Sequence, residues 1–288
     1  MNKKILFYKY YIEKLSRTKL GAAFGRLHRL ICFYNFLRRI KEQTVAVYQI
    51  KELFLFCHND GGFKNKIVAE FGSDLELNTA KAIKKLGARK VLCFNPFFAG
   101  NSKSDDEKIE AYKRDGTDTG LPDNSVDVVF GIALLEHLSD PKKIAKEIKR
   151  ILKPGGVAYL EGCPMWSGPL GHHIYCEFPD KSYHFNDATN PFAMWEHLYY
   201  DTDKEMEAAL IRKGIPETHS KDIAEWIMNS SEVSRKKASD IIKEISMVED
   251  IEITVEKDCF QKAPQDLLEK YSEEDLLTHL LRIKIKKK

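Results

Sequence analysis

Ile67-Val68-Ala69-Glu70-Phe71-Gly72-Ser73-Asp74-Leu75-Glu76-Leu77-Asn78 reads as a short apolar strand that ends on an acid, turns at one glycine and enters a helix predicted over 79–86. A loop that cradles a pyrophosphate needs several glycines, because its backbone amides must close on the phosphate oxygens. Gly72 stands alone here. The carboxylates of Glu70, Asp74 and Glu76 would repel phosphates and suit a ligand carrying an ammonium and a sulfonium. Such a loop disfavours a dinucleotide.

Further strands are predicted at 91–95, 109–113, 126–132 and 157–161, with helical stretches between them, the alternation of βαβ units in a parallel sheet. Asp140 and Pro141 form an N-cap followed by proline in the first turn. Ile144, Ile148, Ile151 and Leu152 then share one helical face, and Lys153-Pro154-Gly155-Gly156 stops the helix. Ile251, Ile253 and Val255 alternate with polar residues, as do Leu281, Ile283 and Ile285, so two more strands finish the sheet. The expected fold class is α/β, a Rossmann-like sheet that is mostly parallel with its last strand antiparallel. Three regions are expected: a basic helical N-terminal extension over 1–64, a core over 65–180 and 250–288, and a helical insertion over 181–249 that covers the acceptor site.

From Lys66 to Gly162 the chain resembles the class I S-adenosylmethionine-dependent methyltransferases, especially their small-molecule-methylating branch. The resemblance rests on four pieces in order: Ile67 to Ser73, Leu121-Pro122-Asp123-Asn124-Ser125-Val126-Asp127-Val128-Val129-Phe130, Leu134-Leu135-Glu136-His137-Leu138 with Asp140-Pro141 behind it, and Ile151-Leu152-Lys153-Pro154-Gly155-Gly156. It implies S-adenosyl-L-methionine as cofactor, bound by Glu70, Phe71, Gly72, Asn95, Asp115, Gly116, Thr117 and Ala133. Glu70 would help hold the methionine amino group, and Gly72 would let the backbone approach. Asn95 stands where the family commonly has an acid for both ribose hydroxyls; an amide donates and accepts there without a charge-assisted bond. Asp115-Gly116-Thr117 would contact adenine, with Asp118 as a rival, and Ala133 would line the methionine part. Asn95-Pro96-Phe97-Phe98 resembles the Asn-Pro-Pro-Tyr box of amino-methylating enzymes, but it follows the second strand rather than the fourth and lacks the second proline.

Methyl transfer from a sulfonium needs donor and acceptor held in line, and a neutral hydroxyl acceptor also needs a base, for which histidine suits neutral pH. Candidates for that base are His172 and His173 in the loop after the fifth strand, and His137. His184 lies further along the same loop, while Trp166 and Tyr175 either line the acceptor pocket or pin the loop. A histidine that only braces the loop is the competing expectation for His172 and His173. Glu136-His137 resembles a pair in the quinone-pathway O-methyltransferases, where an acid three residues earlier completes a divalent-metal site. Ala133 occupies that place, so no metal ligand is assigned.

With 43% apolar and 31% charged residues, the 288-residue chain excludes the disordered and membrane-spanning classes, and a cytoplasmic location is expected. Six scattered cysteines lack the paired spacing of a zinc or redox site. The net charge is +3, yet the first 41 residues carry eleven Lys or Arg against Glu13 alone. That segment also holds Phe7, Tyr8, Tyr10, Tyr11, Phe24, Phe33, Tyr34 and Phe36. The favoured reading is a helical extension that packs its aromatics on the core; weak contact with a membrane surface and nucleic-acid binding are the alternatives. The expected function is O-methylation of a small polar metabolite, such as a sugar or nucleotide-linked precursor in bacterial surface polysaccharide biosynthesis. A non-catalytic scaffold of the same fold and a nucleic-acid methyltransferase are the competing readings. The oligomeric state is not legible.

Overall fold

The computed structural model describes residues 23–40, 45–103, 108–260 and 262–288. The aromatics at Phe7, Tyr8, Tyr10 and Tyr11, and most of the basic opening, lie outside the described residues. In chain order the elements begin with helices α1 (Ala23–Ile40) and α2 (Val47–Asn59), then β1 (Ile67–Phe71), α3 (Asn78–Lys85), β2 (Lys90–Phe94), β3 (Ser102–Lys103) and β4 (Ile109–Tyr112). After them come β5 (Val126–Gly131), α4 (Pro141–Ile151), β6 (Leu152–Gly162) and the hairpin β7 (Tyr175–Glu177) and β8 (Ser182–His184). Helices α5 (Asp203–Arg212), α6 (Glu217–Asn229) and α7 (Ala238–Ser246), strand β9 (Ile251–Cys259), helix α8 (Glu273–Leu277) and strand β10 (Thr278–Lys287) complete the chain.

Eight strands form one sheet in the order β3-β4-β2-β1-β5-β6-β10-β9. Strands β4, β2, β1, β5 and β6 are parallel, while β10 pairs antiparallel with β6 and with β9. The expected mostly parallel sheet with an antiparallel end is therefore present, and β3 adds a two-residue antiparallel edge that was not expected. Strand β1 sits between β2 and β5, with Glu70 level with Cys93 and Phe130. A central strand buried on both faces must be apolar along its length, which is why Val68, Ala69 and Phe71 are wholly buried.

Helix α4 starts as expected: the Asp140 carboxylate accepts the Lys143 N–H at 2.8 Å and Pro141 follows. Its Ile144, Ile148 and Ile151 pack on one sheet face with Ala238, Ile241 and Ile245 of α7. These α7 residues lie within the span 181–249 expected as an insertion. Helix α7 belongs to the sheet's own cover, and the separate apolar cluster draws on Trp166 to Val233 together with Ala263, Leu267 and Leu276. On the opposite face α2 and α3 bury Leu53, Phe56, Ala82 and Ile83. Phe33 and Phe36 of α1 pack edge-on against Phe54 of α2.

Helix α2 is fastened by charge as well as by apolar contact. Arg282 on β10 donates from Nε and Nη2 to the two Glu52 oxygens at 2.7 and 2.8 Å, and the Tyr159 hydroxyl donates to Glu52 at 2.6 Å. All three side chains are buried. A buried bidentate pair contributes less than its Coulomb energy suggests, but it holds the helix in one register on the sheet.

Candidate active site

In an open parallel sheet, ligands gather outside the carboxyl ends of the strands, where neighbouring connections part to opposite faces. A cleft of about 660 Å³ lies there, bounded by the loops after β1, β2, β4 and β5. Phe71, Gly72, Asn95, Asp115, Gly116, Thr117 and Ala133 all line it. Glu70 does not: its side chain is 3% exposed, and burial pushes its carboxyl up to about 8, with the Asp74 charge adding to the rise.

Each lining segment is shaped by a local requirement. Gly72 has φ +71°, and a Cβ there would sit 3.4 Å from Leu134 Cδ1. Gly116 leaves a gap that a Cβ would close to 2.9 Å from Phe71 Cδ2. Ala133 is held at φ +52° while its N–H donates to Glu161 Oε2 at 2.9 Å. Asp74 is spent on α3, accepting from the N–H groups of Asn78 and Thr79 at 2.9 and 3.0 Å. Asp115 accepts the Thr117 N–H at 2.7 Å. Asn95 Nδ2 donates to the Ser73 carbonyl at 2.7 Å and its Oδ1 accepts the Phe97 N–H at 2.7 Å. One amide N–H and one Oδ1 lone pair are thus already used, and the second of each is what Asn95 has left for a ribose. The amide ties the loop after β1 to the loop after β2.

The same cleft reaches His137 and the backbone around Glu232. His137 Nδ1–H donates to the Glu232 carbonyl at 2.5 Å, which leaves Nε2 with its lone pair. Beside it, the carboxylate of Glu136 is 3% exposed, and neither oxygen meets a hydrogen-bond partner. It lies against Gly162, where a Cβ would come 2.7 Å from Oε2, and burial pushes it up to about 8. The third member is His173, half-buried at φ +52°, its ring 5.0 Å from that of His137 and 4.9 Å from Phe185. Burial, and then the neighbouring His137, push His173 down to about 3, so it is a neutral imidazole near pH 7. Ligand atoms of Glu136, His137 and His173 all lie within 4.8 Å of one another.

His172 is corrected. It is wholly buried, its Nδ1 accepts the Ile174 N–H at 3.3 Å, and its ring rests on Phe192 and His197 away from the cleft lining. The brace expected as the alternative describes its placement. His184 lies between Glu177 and Asp187 and stacks on Tyr175 at 4.2 Å, outside the cleft lining as well. Trp166 packs in the separate cluster. Two residues escaped the sequence reading: Glu161, which holds Ala133, and Glu232, which orients His137. Neither has a local sequence signal, since each acts through a partner more than 25 residues away.

Residues 74–160 match the family described as Methyltransferase domain. An uncharacterized methyltransferase of Mycobacterium sp. (strain KMS) is 40% identical over 58 residues, 20% of this chain and 23% of that protein. One from Mycobacteroides abscessus is 32% identical over 74 residues, 26% of this chain and 28% of that protein. These matches span about a quarter of the relatives' length. A crystal structure of an S-adenosylmethionine dependent methyltransferase from Mesorhizobium loti aligns over 78% of this chain and 92% of that one, at 13% identity and a TM-score of 0.45. The domain match falls on the segment that supplies the loops after β2, β4 and β5, so residues 74–160 of this chain are similar to a methyltransferase domain.

Proposed function

We propose that the protein moves the methyl group of S-adenosylmethionine to a hydroxyl of a small polar metabolite, of the sugar or nucleotide-linked kind that feeds bacterial surface glycans, in the cytoplasm. The observation that carries this reading is the continuity of one cleft from Gly72, Gly116 and Ala133 to the His137 imidazole. At the first end, Gly72 at φ +71° and Gly116, packed against the Phe71 ring, bring backbone to the cleft lining, and the loops after β2, β4 and β5 fall in the methyltransferase-domain match. S-adenosylmethionine supplies an electrophilic methyl on a sulfonium. At the other end, the Glu232 carbonyl fixes the His137 tautomer so that Nε2 can take a proton from an acceptor hydroxyl, and neutral His173 stands beside it.

Calorimetry with S-adenosylmethionine and S-adenosylhomocysteine, followed by mass spectrometry of candidate nucleotide sugars for a gain of one methyl, tests it. Binding of both cofactor forms and a methylated product are expected. Absence of binding by either form would favour a scaffold that keeps the fold without the chemistry.

A further inference from the structure

We propose that Glu136, His137 and His173 form a binding site for a divalent transition-metal ion at the acceptor end of the cleft. The proposal rests on the hydroxyl-methylating reading only for the role of the ion, not for its binding. Four observations converge. Ligand atoms of the three side chains lie within 4.8 Å of one another, although His173 comes from a different loop. The Glu136 carboxylate, 3% exposed, has both oxygens without a hydrogen-bond partner. A buried carboxylate left bare is among the costliest groups in a protein, and a cation relieves that cost directly. His137 donates its Nδ1–H to the Glu232 carbonyl, the outer contact that metal-ligating imidazoles make, leaving Nε2 to bind. Finally, His137 lines the cleft, so coordination positions beyond the three protein ligands face a bound acceptor.

The donor set selects the ion. Two imidazoles and one carboxylate suit zinc and its first-row neighbours, whereas magnesium and calcium take oxygen ligands. Bond lengths of about 2.1 Å at tetrahedral angles need ligand atoms roughly 3.4 Å apart, a closure within reach of small side-chain rotations. Three protein ligands with an open position is the arrangement of a catalytic rather than a structural zinc site. With the ion in place His137 Nε2 is a ligand and no longer the base; an acceptor hydroxyl in the open position would instead lose its proton to water at lower pH. Its oxygen then forms the new bond to the methyl carbon, while the carbon–sulfur bond breaks and its electron pair stays on sulfur.

The test uses the full chain, stripped of metal and titrated with Co²⁺ while visible absorption is followed, and with Zn²⁺ in a calorimeter. One equivalent of each should bind, Co²⁺ giving the intense bands of a low-coordinate site, and Zn²⁺ should raise the unfolding temperature. Glu136→Gln, which keeps the side-chain shape, and His173→Ala should each weaken binding by roughly 10²-fold or more, since even outer contacts are worth 10- to 100-fold. His184→Ala, on the surface hairpin, should leave it unchanged. No binding, or binding lost in His184→Ala but retained in Glu136→Gln, overturns the proposal. S-adenosylhomocysteine binding measured on the same metal-free sample reports separately on the methyltransferase reading, so either can fail alone.

Discussion

The two ends of the cleft are built in opposite ways. At the proposed cofactor end, Phe71-Gly72, Asn95 and Asp115-Gly116-Thr117 come from short loops directly after strands of one parallel sheet, and each loop is shaped mainly by neighbours in sequence or in the adjoining loop. At the proposed acceptor end, Glu136 and His137 follow β5, His173 comes from the loop beyond β6 and Glu232 follows α6. A cofactor common to a family can be met by local features of strand ends, whereas a particular acceptor is met by whatever distant segments the tertiary fold brings over those ends.

Four experiments sharpen or break that contrast. The largest effect is expected in Arg282→Met, which strands the buried Glu52 carboxylate and removes the anchor of α2. A loss of about 3–5 kcal/mol in urea unfolding is expected. A loss below about 1 kcal/mol would mean that apolar contact alone docks the helix. His137→Ala should lower turnover by roughly 10² to 10⁴ with cofactor affinity unchanged. Equal losses of turnover and cofactor binding would show that the two ends are one site rather than two.

At the cofactor end, Asn95→Asp cannot donate to the Ser73 carbonyl and sets an anionic oxygen against it. Stability and S-adenosylhomocysteine binding should together fall by about 1–3 kcal/mol, measured by thermal unfolding with and without the ligand. Tighter binding would instead return Asn95 to the ribose. The effect spread most thinly, over several pH units, concerns Glu70. The Glu70 carboxyl is raised from 4.5 to about 8 in the folded protein, so between those values the folded state holds a proton that the unfolded chain has released. Stability from this group is therefore present at low pH and lost as pH rises toward 8, by at most about 1.4 kcal/mol per pH unit. Glu70→Gln should flatten that part of the stability profile, and an unchanged slope between pH 5 and 8 would discount Glu70 as its source.

The sequence alone determined the sheet. Apolar runs such as Val68 to Phe71 and Val126 to Phe130 are buried on both faces in a parallel sheet, and the Asp140-Pro141 start of α4 is a property of the backbone at that point. The loops that line the cleft at the strand ends were legible for the same reason, because a strand end and its turn are encoded by residues next to one another. Tertiary structure decided the rest. Two adjacent histidines, His172 and His173, look alike in the chain, yet the turn that sets His173 at φ +52° sends one ring into the apolar cluster and the other beside Glu136 and His137. Helix α7 reads like the helices before it, and only its packing against α4 assigns it to the sheet. Burial of Glu136 without a partner arises from Gly162 beneath it, a contact between residues 26 apart that no spacing rule along a strand or helix reports.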